Sequence, residues 1–186
     1  MRRRSGSAPH GTAAPIRTLV CLLAAFFVFA TSNGAGATTA TDSLHGLDWL
    51  AGHTWRAKLP ASGTLSHIDV HYDWAETGNL LQFATRFYTT DGKIVQRYAG
   101  NFYYDPGEST LMMWYLNSAN TIVHGPVTLA GDTMTMTFQS PDDEGKPAEY
   151  RVDVTRTTPA AYRWELFKQD AGSWAKQLSL TYERAD

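Results

Sequence analysis

The stretch richest in chemistry is His67, Asp69, His71 and Asp73, four metal-ligating or acid–base side chains at alternate positions. Along a strand, alternate residues lie about 6.5–7 Å apart on one face, so neighbours in such a row are spaced to share an ion. The intervening residues Ile68, Val70, Tyr72 and Trp74 are strongly apolar, which turns the acid–histidine row toward water. No further ligand pair stands at metal spacing, so the row reads as a solvated face, and no metal or cofactor is expected. His124 sits in Ile122-Val123-His124-Gly125-Pro126. Glycine followed by proline kinks or ends a ladder, and a histidine beside such a break has the chemistry of a general base or a haem ligand. A purely structural histidine fits the same place, and no partner motif accompanies it.

Arg97 and Asn101 alternate with the other face of their segment, Ile94, Gln96, Tyr98, Gly100 and Phe102. If Arg97 points inward it needs a carboxylate or an anionic ligand, because a buried unpaired cation is costly. If it points outward it is an ordinary surface arginine. Both orientations stay open at this level. The chain has no G-x-S-x-G, no H-E-x-x-H and no phosphate-binding glycine loop. Its single cysteine, Cys21, lies in an apolar run near the start. Glu76, Glu149 and Glu165 are scattered, and no pair of working carboxylates is readable from spacing. No catalytic residue is assigned.

The aromatic load carries more information. The chain holds six Trp, nine Tyr and eight Phe, and three of those Phe lie in the apolar run at the start. Such side chains fill ordinary cores, but on the wall of a barrel they also bind flat or apolar molecules. Trp74, Phe83, Phe87, Met113, Tyr115, Met136, Phe138 and Trp164 are the expected lumen set. Methionine adds an adaptable, polarizable lining. Arg97 and His124 join them as candidate polar ligand-binding groups.

The elements that must position these residues are strands. From Leu44 onward the hydrophobic period is two, not 3.6. Met134, Met136 and Phe138 alternate with threonines, and Tyr150, Val152 and Val154 alternate with polar residues. Trp174, Leu178, Leu180 and Tyr182 share a face that Lys176 interrupts. Turn residues separate the runs: Thr77-Gly78-Asn79, Asp91-Gly92, Asp105-Pro106-Gly107, Gly131-Asp132, Pro141 to Gly145, Thr158-Pro159 and Ala171-Gly172. About ten strands result, near 54–59, 65–75, 80–89, 93–104, 110–117, 121–129, 132–139, 148–157, 161–168 and 173–184. Only Leu44 to Leu50 reads as a short helical turn. Without a crossover helix, parallel βαβ architectures are excluded. Short connections favour an antiparallel up-and-down meander, which closes into an all-β barrel to remove its edges. The lumen-facing side stays unread for 80–89 and 93–104.

The first 37 residues read as a separate object. Arg2, Arg3, Arg4 and Arg17 precede an apolar run from Leu19 to Ala30, followed by Ala35-Gly36-Ala37. Positive segment, short apolar run and small-residue exit are the pattern of a cleaved secretory signal peptide. The run is too short to span a bilayer, so no membrane span is expected after cleavage. Residues 38–43 follow as a flexible lead, and 44–186 form one barrel domain. Removing 1–37 leaves 149 residues with twelve basic side chains against eighteen acidic ones. That acidic balance argues against a nucleic-acid partner. The expected location is exported, periplasmic or secreted. The oligomeric state is not readable.

Leu47-Asp48-Trp49-Leu50-Ala51-Gly52-His53-Thr54-Trp55, with Tyr182-Glu183-Arg184 at the other end, resembles the pattern of a lipocalin-like (calycin) barrel. In such barrels a helical turn leads through Gly-x-Trp into the first strand. Here the spacing is Gly52-x-x-Trp55, one residue longer. The resemblance implies that Arg184 packs over Trp55 as a structural pair. Tyr104-Asp105-Pro106 and Gly172-Ser173-Trp174 extend the likeness to small exported bacterial domains of this type with no known function, over nearly all of 44–186. Haem-binding relatives use a histidine on a late strand. The last two strands here contain none, so that role does not transfer. The combined expectation is a binding protein holding a small apolar or aromatic ligand in the lumen. The alternatives are a structural or interaction protein of the cell envelope, and an enzyme working at the barrel mouth through His124, Arg97 or a tyrosine.

Overall fold

The computed structural model describes residues 40–186 except 62 and 117–119. The expected signal peptide, 1–37, and the first residues of the expected flexible lead lie outside the described residues, whereas residues 40–43 belong to a helix. That helix is α1 (Ala40–His45). Ten strands follow: β1 (His53–Lys58), β2 (Leu65–Trp74), β3 (Leu80–Thr89), β4 (Ile94–Asp105), β5 (Thr110–Leu116), β6 (Ile122–Ala130), β7 (Thr133–Pro141), β8 (Pro147–Thr158), β9 (Ala161–Asp170) and β10 (Ser173–Arg184). Every expected strand is present, with ends displaced by at most two residues.

Each strand pairs antiparallel with its neighbours in sequence, and β1 pairs with β10, so the meander closes into a barrel. The closing ladder is short, with register pairs Trp55↔Arg184 and Arg56↔Glu183. The Arg184 guanidinium lies 5.3 Å from the centre of the Trp55 ring. Trp55 is fully buried, and its indole N–H donates to the Leu50 carbonyl at 3.1 Å. The Ala185 N–H extends the seam by donating to the Thr54 carbonyl at 2.8 Å.

One end of the barrel is closed by the segment between α1 and β1. Leu47 and Leu50 enter the core there, next to Leu44 at the end of α1. Trp49 packs edge-on against both Trp55 and Tyr162, with centroids 5.9 and 5.7 Å away. The opposite end carries the β1–β2, β3–β4, β5–β6, β7–β8 and β9–β10 connections and holds the mouth of the lumen.

Two irregularities set the shape of the wall. In β10 the register shifts between Lys176 and Leu178, and the extra residue reverses the facing of everything before it. Trp174 therefore does not share a face with Leu178, Leu180 and Tyr182. It lies on the outer surface with Lys176, where the Arg151 guanidinium sits 4.4 Å from the Phe167 ring centre and 5.2 Å from that of Trp174. Lys176, the residue that broke the apolar pattern, marks this bulge. At β6, the ladder to β7 runs from Ala130 only as far as Val127, while the ladder to β5 continues through Gly125 and Pro126. A Cβ on Gly125 would lie 1.8 Å from the Thr137 carbonyl oxygen. Only a residue without a side chain lets β6 and β7 pass this close.

Gly125→Ala is expected to cost about 2 kcal/mol or more of stability, because the obstacle is backbone that cannot rotate away. The urea-denaturation midpoint checks this. A midpoint within error of the parent would contradict the close crossing.

Candidate functional site

The inward faces of β2–β5 and β7–β10 enclose a cavity of about 500 Å³. Alternation places one residue in two on its wall. From β3 come Phe83, Thr85 and Phe87, from β4 Tyr98 and Phe102, and from β5 Met113 and Tyr115. Ile68 and Val70 of β2 stand beside Phe87 and Thr85 as their register partners, and Leu166 of β9 and Leu178 and Leu180 of β10 stand across the barrel. The rim is reached at Ser140, Pro141 and Asp143, around the β7–β8 turn.

The two sides of the wall differ. Phe87, Tyr98, Tyr115, Phe138 and Tyr150 form a continuous aromatic arc from β3 to β8, with successive centroids 5.2, 5.7, 6.2 and 5.8 Å apart. Contacts of this kind contribute about 0.5–1.5 kcal/mol each beyond their burial. Trp164 apart, the wall that β2, β9 and β10 supply above the floor is aliphatic. Gly100 makes the arc compact: a Cβ there would lie 2.5 Å from Tyr115 Cβ and 2.7 Å from Phe83 Cζ.

The floor is phenolic. Tyr162 and Tyr182 stack at 4.9 Å, and Tyr162 lies 5.0 Å from Trp55. Burial pushes the Tyr72 hydroxyl up to about 12, with the Tyr162 hydroxyl beside it pulling slightly the other way. Burial also raises Tyr162 and Tyr182 well above the ordinary tyrosine range, and each feels a neighbouring phenol. Higher on the wall, Tyr115 is raised first by burial and then by Tyr98. All these groups are neutral hydrogen-bonding phenols at physiological pH.

At the rim, Lys168 pairs in register with Tyr150 on the inner face. Its ammonium donates to Asp142 Oδ2 at 3.0 Å. Asp142 also accepts from the backbone N–H groups of Glu144 and Lys146. The ion pair ties the β7–β8 turn to β9.

The expected lumen residues divide clearly. Phe83, Phe87, Met113, Tyr115, Met136, Phe138 and Trp164 all line the cavity. Trp74 faces inward but sits at the closed end beside His45, centroids 5.5 Å apart, away from the cavity lining. Arg97 is exposed on the outside, because the inner face of β4 is the one bearing Tyr98, Gly100 and Phe102. His124 is also exposed and outside. Its Nε2 lies 2.9 Å from the Tyr103 hydroxyl, and it borders a shallow outer groove with Ile122, Pro126 and Gln139. The row from His67 to Asp73 faces outward. Arg56 covers Asp69 there with two bonds of 2.7 and 2.8 Å. Among the described residues no group of three or more His, Cys, Asp or Glu could hold a metal ion. No helix among them is long and apolar enough to cross a membrane.

Sequence reasoning missed Thr85, Tyr98 and the floor tyrosines. Tyr72 and Tyr182 were already visible on apolar faces by alternation. Thr85 and Tyr98 were hidden because β3 and β4 carry bulky residues on both faces.

No family model matches this chain, and no curated protein matches it. Among solved structures, the crystal structure of Rv2717c from M. tuberculosis is similar, with a TM-score of 0.51 and 13% sequence identity. The similarity covers 77% of this chain and 98% of that one. At that identity the likeness concerns the barrel fold alone.

The buried phenols give the chain an alkaline limit. Tyr72 titrates near 10 when unfolded and near 12 when folded. Its stabilisation is fully present below pH 10 and is lost as pH rises through 12, because the unfolded chain releases the proton first. Over that window stability is expected to fall by roughly 2–3 kcal/mol for Tyr72 alone. The Tyr72→Phe variant is expected to flatten this part of the curve. Unfolding free energies measured across the alkaline range check it, and an unchanged slope in the variant would contradict it.

Proposed function

We propose that this protein is an exported binding protein that holds a small apolar or aromatic ligand in its barrel lumen. The observation that carries the reading is the 500 Å³ cavity, walled by aromatic and aliphatic side chains and open at one end. It falls within the size range of small-molecule pockets, and its polar groups are hydroxyl groups apart from Asp143 at the rim. A barrel of this girth that served only as a scaffold would fill its interior with side chains. Export is supported by the arginines, apolar run and Ala35-Gly36-Ala37 exit near the start of the sequence. The lipocalin-like reading is supported by the Trp55–Arg184 pair.

An interaction protein without a ligand has one observation in its favour. Trp114, Leu116 and Ile122 are exposed together on the outer face of β5 and β6. Such a patch suits a protein contact. It accompanies an open lumen, however, and an interaction scaffold has no use for the open space inside. Of the candidates for the enzyme reading, Arg97 and His124 both lie outside the lumen, which leaves that reading a tyrosine.

Native mass spectrometry of the protein purified from its own host tests the proposal. The expected result is an added mass that is lost on denaturation, on a chain beginning near residue 38. Ser140→Trp, at the rim, is expected to leave the melting temperature nearly unchanged and to abolish the added mass. An apo mass for the parent, together with no capture of hydrophobic fluorophores, would overturn the binding reading. A chain still carrying residues 1–37 would overturn export.

A further inference from the structure

The lumen has a chemical preference, which rests on the binding reading above. Its described lining contains no Arg, Lys or His, and its only acid, Asp143, is at the rim. Lys168, the cation on the inner face nearest the mouth, is committed to Asp142. A carboxylate drawn into this space would lose its hydration and meet no counter-charge.

The lumen is nevertheless not featureless. Thr85 and Tyr98 are register partners on β3 and β4. Tyr115 follows on β5, its ring stacked on Tyr98 at 5.7 Å. The Tyr98 oxygen accepts from Gln96 Nε2 at 2.6 Å, which leaves its own proton to donate. The Thr85 and Tyr115 hydroxyls have no hydrogen-bond partner among the described residues. Thr85, Tyr98 and Tyr115 thus place three hydroxyl groups on the inward faces of three adjacent strands, on the wall above the phenolic floor. Val70, the register partner of Thr85 on β2, and Leu180, across the barrel on β10, offer only dispersion contact. Few and localised polar groups on an apolar wall are what orients a ligand.

We propose that the lumen selects an uncharged, flat ring compound bearing an acceptor oxygen, such as an aryl ketone, which lies against the Tyr98–Tyr115–Phe138 arc and receives hydrogen bonds from Thr85, Tyr98 and Tyr115. The corresponding aryl carboxylate is rejected.

Three compounds of nearly equal shape test this on the full chain: 1-acetylpyrene, 1-ethylpyrene and 1-pyrenecarboxylate. Binding is read by energy transfer from tryptophan, for which Trp164 on the lumen wall is the donor. At neutral pH the ketone is expected to bind at least about tenfold more tightly than the carboxylate. The paired changes Tyr115→Phe and Thr85→Val are expected to weaken the ketone about tenfold and leave the ethyl compound unchanged. The ethyl compound also reports that the lumen of the variant is intact, and each single change, tested alone, gives a milder version of the same contrast. Equal binding of ketone and carboxylate would overturn the preference while leaving lumen binding in place. Equal loss of ketone and ethyl compound in the variants would do the same to the role of the hydroxyls. If none of the three binds the parent, both the preference and the binding reading fall.

Discussion

The barrel depends on the meeting of its first and last strands. The closing ladder is the shortest in the structure, and Trp55 anchors it from within. The Trp55 indole is held by the Leu50 carbonyl below, covered by the Arg184 guanidinium above, and flanked by Tyr162 and Trp49. Trp49 and Leu50 belong to the segment that caps this end. Closing the sheet and sealing the base are therefore one packing event. An unclosed ten-strand meander would expose two edges and its whole inner face.

A sealed base with an open opposite end gives the lumen a direction. Near the floor, the large rings of Tyr72, Tyr162 and Tyr182 fill the barrel, and burial keeps their hydroxyls neutral. Halfway up, the aromatic arc and the aliphatic wall separate far enough to leave space. Gly100 and Gly125 both serve that geometry. The first lets Phe83 and Tyr115 approach each other on the arc, and the second lets β6 run close to β7 where their ladder has ended. On the outer face, Arg56 with Asp69 and Lys176 with Glu165 form surface pairs.

Nearly all of this architecture was legible in the sequence, because period-two alternation and Gly/Asn/Pro turns are local signals. The Ala171-Gly172 turn is an example: both residues have positive φ, 46° and 82°, as a tight two-residue hairpin requires. The Trp55–Arg184 pair was also legible, through resemblance and not through pattern. What local signals could not carry was facing. Leu80 to Tyr88 is bulky on both sides, so Thr85 stayed hidden until β2 and β4 fixed its register. Arg97 and Tyr98 competed for the inside of β4, and Gly100, which must face Phe83, decides for Tyr98. Trp174 was assigned to the wrong face because a bulge reverses alternation, although Lys176 on the apolar side marked the place. His124 drew attention by its position beside Gly125-Pro126, yet the same break turns it to the outer groove.

A crystal structure of the protein isolated from its own host addresses the lumen most directly. The expected result is density for a flat molecule between the Tyr98–Tyr115–Phe138 arc and the Val70–Leu180 wall, with Trp55 still buried beneath Arg184. A lumen closed by collapsed side chains, with Phe83 and Tyr115 packed directly against Leu180 and no room between them, would contradict a binding function.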